Sequence, residues 1–249
     1  MLDLPAGITT CLFDLDGVLT QTAKIHARAW KEMFDDFLRD WYARHDQPFE
    51  EFDRPTDYDE YVDGKPRLDG VKSFLDSRGI ELPMGAASDG PDAETIHGLG
   101  LRKNDLVLKL IHEAGVEPYE GSVRFAEAAR EQGLRRAVVS ASTNCEDVLK
   151  AAGIDHLFEE RIDGKVAEQE GLAGKPAPDT FLEGARRLGA DPKEAAVFED
   201  AQAGVQAGRA GNFGWVVGVN RSNQADALKR KGADIVVDDL AELLEKPSS

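Results

Sequence analysis

Four short stretches hold residues able to do chemistry. They are Asp14-Leu15-Asp16-Gly17-Val18-Leu19-Thr20, Ser140-Ala141-Ser142-Thr143-Asn144, Gly174-Lys175-Pro176-Ala177-Pro178 and Glu199-Asp200. Together they bring aspartates, a glutamate, hydroxyls, an amide and a lysine. Clustered carboxylates repel one another and need a cation, and oxygen-only ligands without an adjacent His or Cys favour Mg²⁺. A lysine beside them can neutralise a transferring phosphoryl group, and hydroxyls and backbone N–H groups at a strand-to-helix turn can bind its oxygens. Two aspartates spaced i, i+2 point to opposite faces of a regular strand, so the chain must turn there, and Gly17 permits the turn. One carboxylate can then attack phosphorus while the other handles the proton of a substrate hydroxyl. Each stretch alone has a bland reading: a solvated Asp-x-Asp-Gly turn, a surface lysine, a strand-end turn. Their occurrence in this order at successive strand ends is what carries the chemistry.

The elements that must position them are apolar runs. Ile8–Phe13, Ala137–Val139, Ala195–Phe198, Trp215–Val219 and Asp234–Val237 predict strands. Helices are predicted at Cys145–Ala152, Asp179–Leu188, Gln202–Ala210, Gln224–Lys231 and Leu240–Glu245, and Asp191-Pro192 predicts a capped helix start. Continuous apolar strands separated by helices imply a parallel sheet covered on both faces, with chemistry at the carboxyl ends of its strands. Between about Ala23 and Ala114 the alternation stops. Ala27–Leu38, Gly70–Ser77 and Leu99–Glu113 predict helices, and Phe34 and Phe37 read as core. Asp40–Arg67 reads as polar and irregular, with Asp53–Asp63 as a solvated loop. The fold class is therefore α/β, a Rossmann-like parallel-sheet core over residues 1–22 and 115–249, with a helical insertion over 23–114.

Composition narrows the function. The 249 residues include 47 acidic and 30 basic ones, a formal net charge of −17 that repels nucleic-acid phosphates and anionic lipid. Neither a nucleic-acid nor a membrane partner is expected. Cys11 and Cys145 form no disulfide framework or zinc pattern and read as core packing. His45, His97, His112 and His156 show no ligand spacing. With no long apolar stretch and no basic, apolar leader at Met1–Pro5, the expected location is the cytoplasm.

The four stretches resemble, in order, the four signatures of the haloacid dehalogenase superfamily, and the insertion resembles its helical cap. A closer likeness, to the β-phosphoglucomutase-like subfamily, is carried by Thr22 with His26 and Trp30, Arg102–Asp105, Ser140–Ser142 with Asn144, Gly174–Asp179 and Glu199–Ala207. The resemblance implies Mg²⁺-dependent phosphoryl transfer through an aspartyl phosphate on a small sugar phosphate, in a monomer or weak homodimer. Asp14 would be the nucleophile and Asp16 the general acid/base. Asp14, Asp200, Glu199 and the backbone carbonyl of Asp16 would hold the metal. Ser140, Ala141 and Lys175 would hold the transferring group. Ser142, Asn144 and, in the cap, Thr22, His26, Trp30, Arg67 and Lys103 would meet the substrate, Arg67 at its second phosphate. Three positions depart from the pattern. Gln21 replaces an acidic residue, and Asp63 a lysine, with Lys65 two residues on. Thr143 replaces another lysine. The last two loosen the grip on the second phosphate and lean somewhat towards plain hydrolysis. The resemblance still implies first the mutase reaction, β-D-glucose 1-phosphate to D-glucose 6-phosphate, with a sugar-phosphate phosphatase as the alternative. The remaining alternatives are dehalogenation, for which Asp16 and the acidic cluster are superfluous, and an inactive scaffold, against which the intact acids and lysine argue.

Overall fold

The computed structural model describes residues 2–54 and 56–244. Six parallel strands run in the order β3-β2-β1-β4-β5-β6. They are β1 (Thr10–Phe13), β2 (Arg135–Val139), β3 (Glu160–Ile162), β4 (Ala195–Glu199), β5 (Trp215–Val219) and β6 (Ile235–Val237). β1 and β4 are buried along their whole length, as the apolar runs predict for central strands covered on both faces. The outer strands β3 and β6 are three residues long and only partly buried, which leaves little open edge. On one face Leu12, Val139 and Val197 pack with Phe181 and Phe213. Phe13 and Phe198 stack at 4.7 Å and Phe125 meets both edge-on.

Sheet order sets the location of chemistry. It reverses at β1, so the crevice between β1 and β4 is the switch point where doubly wound sheets bind ligands. Register sharpens this: Phe13 lies opposite Phe198. The next residues, Asp14 and Glu199, therefore leave the sheet side by side, and the Asp14 N–H extends the ladder to the Phe198 carbonyl at 2.9 Å.

The chain forms two compact units. One runs to Gln21 and resumes at Val116; the other is Thr22–Gly115. The second is helical: α1 (Ala23–Arg44), α2 (Arg67–Ser77) and α3 (Ile96–Ala114). Its centre is Phe34, with ring centroids 5.3, 5.2 and 4.2 Å from Trp30, Phe52 and Phe74. No helix among the described residues is long and apolar enough to cross a membrane.

Several local expectations need correction. α1 runs through Arg44, because Tyr42 continues its buried stripe into the stretch read as irregular. A short π-helical turn covers Tyr58–Val62. The Asp53–Asp63 loop is not simply solvated: Asp57 is buried, accepts from the Asp53 N–H at 2.8 Å and pairs with Arg78 at 2.7 Å. Three elements were not predicted: β3, α4 (Glu120–Glu131), which buries Phe125, Ala126 and Ala129, and α6 (Gly164–Glu170), which sets only Val166, partly buried, against the core. Asp163 starts α6 by accepting from the Lys165 and Val166 N–H groups. The Asp191-Pro192 start leads only to a single 3₁₀ turn, capped by the Asp191 side chain as expected. The helix expected over Leu240–Glu245 is likewise a 3₁₀ turn, Leu240–Leu243, and Glu245 lies outside the described residues. The remaining helices are α5 (Cys145–Ala151), α7 (Asp179–Arg187), α8 (Gln202–Ala210) and α9 (Ala225–Lys231).

Candidate active site

Asp14 leaves β1 and the chain folds at once into a tight loop. The Gly17 N–H donates to the Thr20 carbonyl at 2.8 Å, and the Leu15 carbonyl accepts from the Leu19 and Thr20 N–H groups and the Thr20 hydroxyl. Gly17 adopts φ 87°, the left-handed turn the sequence requires. Asp16 is half-buried within this loop.

Lys175, from the segment before α7, is 3% exposed. Its Nζ donates to Asp14 Oδ1 at 2.5 Å, Glu199 Oε1 at 2.5 Å and the Val139 carbonyl at 3.1 Å. The lysine thus bridges the ends of β1, β2 and β4. Asp14, Glu199 and Asp200 each offer a carboxylate oxygen within 4.8 Å of the others, all three buried. The Asp16 carboxylate is not in that group. Glu199 is positioned from behind: Oε2 accepts from the Ala201 N–H at 2.9 Å, and a β-carbon on Gly204 would fall 1.7 Å from Oε1. Only glycine lets α8 approach so closely.

The electrostatics follow from burial. Desolvation pushes the Asp14 carboxyl up to about 6, with Asp16 adding to the rise and Lys175 opposing it. It pushes Glu199 up to about 7, again against Lys175 and with Asp14 adding. Burial works against the Lys175 charge too, but Asp14 and Glu199 outweigh it and hold the ammonium protonated. Once ionised, the three acids beside one ammonium leave two excess negative charges in a buried, oxygen-only setting. That donor set fits a divalent cation.

Ser140 ends β2, where its N–H bonds to the Ile162 carbonyl at 2.9 Å. Its hydroxyl accepts from the Ser142 N–H at 3.0 Å, and the Ser142 hydroxyl accepts from the Asn144 N–H at 3.1 Å. The Ser140–Asn144 loop is therefore held by its own side chains at the entrance to α5, with Ala141 half-buried in it.

The other site candidates lie in the helical unit and form a polar group there. Lys103 is 5% exposed, and its Nζ lies 2.8 Å from His26 Nδ1 and 4.7 Å from the centre of the Trp30 ring. Burial, then the charges of Lys103 and Arg67, hold His26 well below its usual range. Arg67 donates to Asn104 Oδ1 at 2.6 Å. Trp30 is buried in the apolar cluster of this unit, with the Lys103 ammonium over its ring. Thr22 is buried, and its carbonyl accepts from the His26 N–H at 2.9 Å. Lys65 donates to the Ser73 hydroxyl at 2.8 Å.

Sequence reasoning missed two residues at this sheet edge. Gln224 donates to the Asp200 carbonyl at 3.0 Å, and Arg221 donates to the Gly17 carbonyl at 2.7 Å. The strand-end rule that found the acids, applied to the segment after β5, points to both.

Comparison with known proteins gives a consistent result. Residues 8–212 match the model of the haloacid dehalogenase-like hydrolases. A β-phosphoglucomutase of Mycobacterium bovis is 53% identical over 247 residues, covering 98% of this chain and 94% of the relative. The fructose-1-phosphate phosphatase YqaB of Escherichia coli is 28% identical over 80% of this chain and 90% of its own length. The crystal structure of a β-phosphoglucomutase from Clostridium difficile superposes with a TM-score of 0.74 at 26% identity, covering 95% of this chain and 93% of that one.

Proposed function

The chain belongs to the haloacid dehalogenase-like hydrolase family, and from that premise we propose that it catalyses the β-phosphoglucomutase reaction, interconverting β-D-glucose 1-phosphate and D-glucose 6-phosphate through an aspartyl phosphate. The observation that carries the reading is Lys175 bonded at once to Asp14 and Glu199, beside Asp200. A buried carboxylate beside a fixed ammonium and two further acids is the arrangement phosphoryl transfer needs. The strong likeness to a mycobacterial β-phosphoglucomutase supports the choice of sugar.

Asp14, phosphorylated by a bisphosphate primer, passes its phosphoryl group to the 6-hydroxyl of β-glucose 1-phosphate as Asp16 takes the proton of that hydroxyl. The bisphosphate so formed turns over in the site, Asp14 attacks its other phosphorus as the bond to the sugar oxygen breaks, and Asp16 returns the proton to that oxygen, which releases glucose 6-phosphate and restores the aspartyl phosphate. Lys175 neutralises the transferring oxygens, with Ser140 and the Ala141 N–H as donors. Asp14, Glu199, Asp200 and the Asp16 carbonyl would hold Mg²⁺, which supplies charge neutralisation when bound. Ser142, Asn144, Thr22, His26, Arg67 and Lys103 are assigned to the sugar and its second phosphate. Trp30 acts through Lys103. The buried thiols of Cys11 and Cys145 suit a reducing, cytoplasmic setting.

Thr143 and Asp63, standing where the mutase pattern has lysines, favour a second reading, a sugar-phosphate phosphatase. One assay separates the two. With β-glucose 1-phosphate, Mg²⁺ and a glucose bisphosphate primer, glucose 6-phosphate is the expected product. Stoichiometric inorganic phosphate instead establishes the hydrolase, and no turnover of any sugar phosphate overturns both.

A further inference from the structure

The loop bearing Asp14 and Asp16 is closed by its own hydrogen bonds, but its Gly17 carbonyl is bound from outside. Arg221, after β5, donates to it through Nε at 2.7 Å. The other side of the guanidinium donates through Nη1 to the Asp238 carbonyl at 2.8 Å. Its plane lies over the Tyr119 ring, 3.5 Å from the centroid. Tyr119 is itself bound to the same loop, its N–H donating to the Leu19 carbonyl at 2.9 Å. Arg221 thus ties the loop to the ends of β5 and β6 and to the start of α4. The side chain is 16% exposed, too enclosed for a mere solubilising charge.

We propose that Arg221 is a positioning residue, which fixes the Gly17–Val18 peptide, and with it the loop that carries Asp16, relative to the acids at the end of β4. This rests on the reading of Asp16 as the proton carrier. Gly17 packs against the Asp200 side chain, so a carbonyl released by Arg221 lets the peptide drift away from the cluster. Asp16 would then meet its hydroxyl less often in line, which lowers turnover more than binding. Arginine is required because one planar fork serves two carbonyls and also stacks on an aromatic ring. The point charge of lysine can serve one of these at a time.

The test compares R221A and R221K with the native chain. For R221A we expect kcat to fall about tenfold or more while KM stays within about twofold, with the limb of the pH–kcat profile that reports Asp16 displaced. R221K should restore less than half of the loss. Mg²⁺ titration by calorimetry provides a readout that needs no substrate: both variants should bind the ion several-fold more weakly. Native kcat, pH profile and Mg²⁺ affinity in R221A overturn the proposal, as does full recovery in R221K. If R221A fails to fold, R221K and its Mg²⁺ titration decide the matter. An inactive native enzyme counts against the proposed function and leaves the Mg²⁺ comparison to judge Arg221.

Discussion

The α-carbon of Gly17 is seated against the Asp200 carboxylate: a β-carbon there would lie 1.8 Å from Oδ2 and 2.4 Å from Cγ. The same residue holds a positive φ of 87°. Backbone conformation and close approach therefore both demand glycine. G17A must shift Asp200, a member of the acidic cluster, or open the Asp14–Thr20 loop. Backbone strain of this kind costs roughly 1–3 kcal/mol, and a displacement near 1 Å in a reacting group costs about 10²-fold in rate. Steady-state kinetics and thermal unfolding of G17A should show both losses. Native turnover in this variant would mean that Asp200 is not where the chemistry needs it.

Lys175 is the only ammonium bonded to Asp14 and Glu199 among the described residues. K175M removes the partner of two buried carboxylates and the charge proposed to neutralise the transferring group. Turnover should fall by about 10²–10³-fold or more, on the scale of a lost charge-stabilising donor. Because the carboxylates lose their counter-charge, their pKa values should rise further, so K175M in the absence of metal should gain stability as the medium is acidified below neutrality. Unfolding midpoints measured without metal across pH 5–8 check this, and a midpoint that fell on acidification through that range would count against the pairing.

The acids themselves predict how metal binding depends on pH. Without metal, Asp14 is raised to about 6 and Glu199 to about 7, chiefly by burial. A carboxyl with a raised folded pKa binds a proton more readily when folded, so the contribution of these two acids to metal-free stability declines as pH rises from about 4 towards 7. A cation must displace those protons. Mg²⁺ affinity should therefore fall as pH drops from about 7 to below 6, with protons released on binding in that range. Calorimetry in buffers of different ionisation enthalpy measures the release directly. D14N removes one buried acid, so it should raise the metal-free melting temperature while weakening Mg²⁺ and abolishing turnover.

How much of this was legible beforehand depends on the kind of signal each feature leaves. The clustered acids and Lys175 could be read because each follows an apolar run or a Gly/Pro-rich turn, and parallel sheets gather such residues at one edge. The Phe13–Phe198 register, which brings Asp14 and Glu199 side by side, leaves no trace in either run alone. Arg221 and Gly17 are 204 residues apart, and the bond uses a backbone carbonyl, which has no residue type to recognise. Asp57 looked solvated because its neighbours are polar, yet a distant Arg78 buries it. Helix α6 starts on the Asp163 cap and sets only Val166, partly buried, against the core, so periodicity could not reveal it.

The helical unit offers a titration of its own. His26 Nδ1 accepts from the Lys103 ammonium at 2.8 Å, which leaves the ring proton on Nε2. Burial first, then Lys103 and Arg67, keep the ring neutral well below its usual range. The unfolded chain takes up a proton near pH 6.5 and the folded one resists it. Stability linked to His26 is therefore full above that pH and declines as pH falls below it. K103M removes the nearer cation and lays an apolar chain on Trp30, so the His26 pKa should rise, while burial still holds it below 6.5. Proton NMR of the imidazole ring in the native chain and in K103M follows this directly. A native His26 titrating at 6.5, or one indifferent to the loss of Lys103, would contradict the pairing and with it the assignment of Lys103 as a cation held ready for the sugar phosphate.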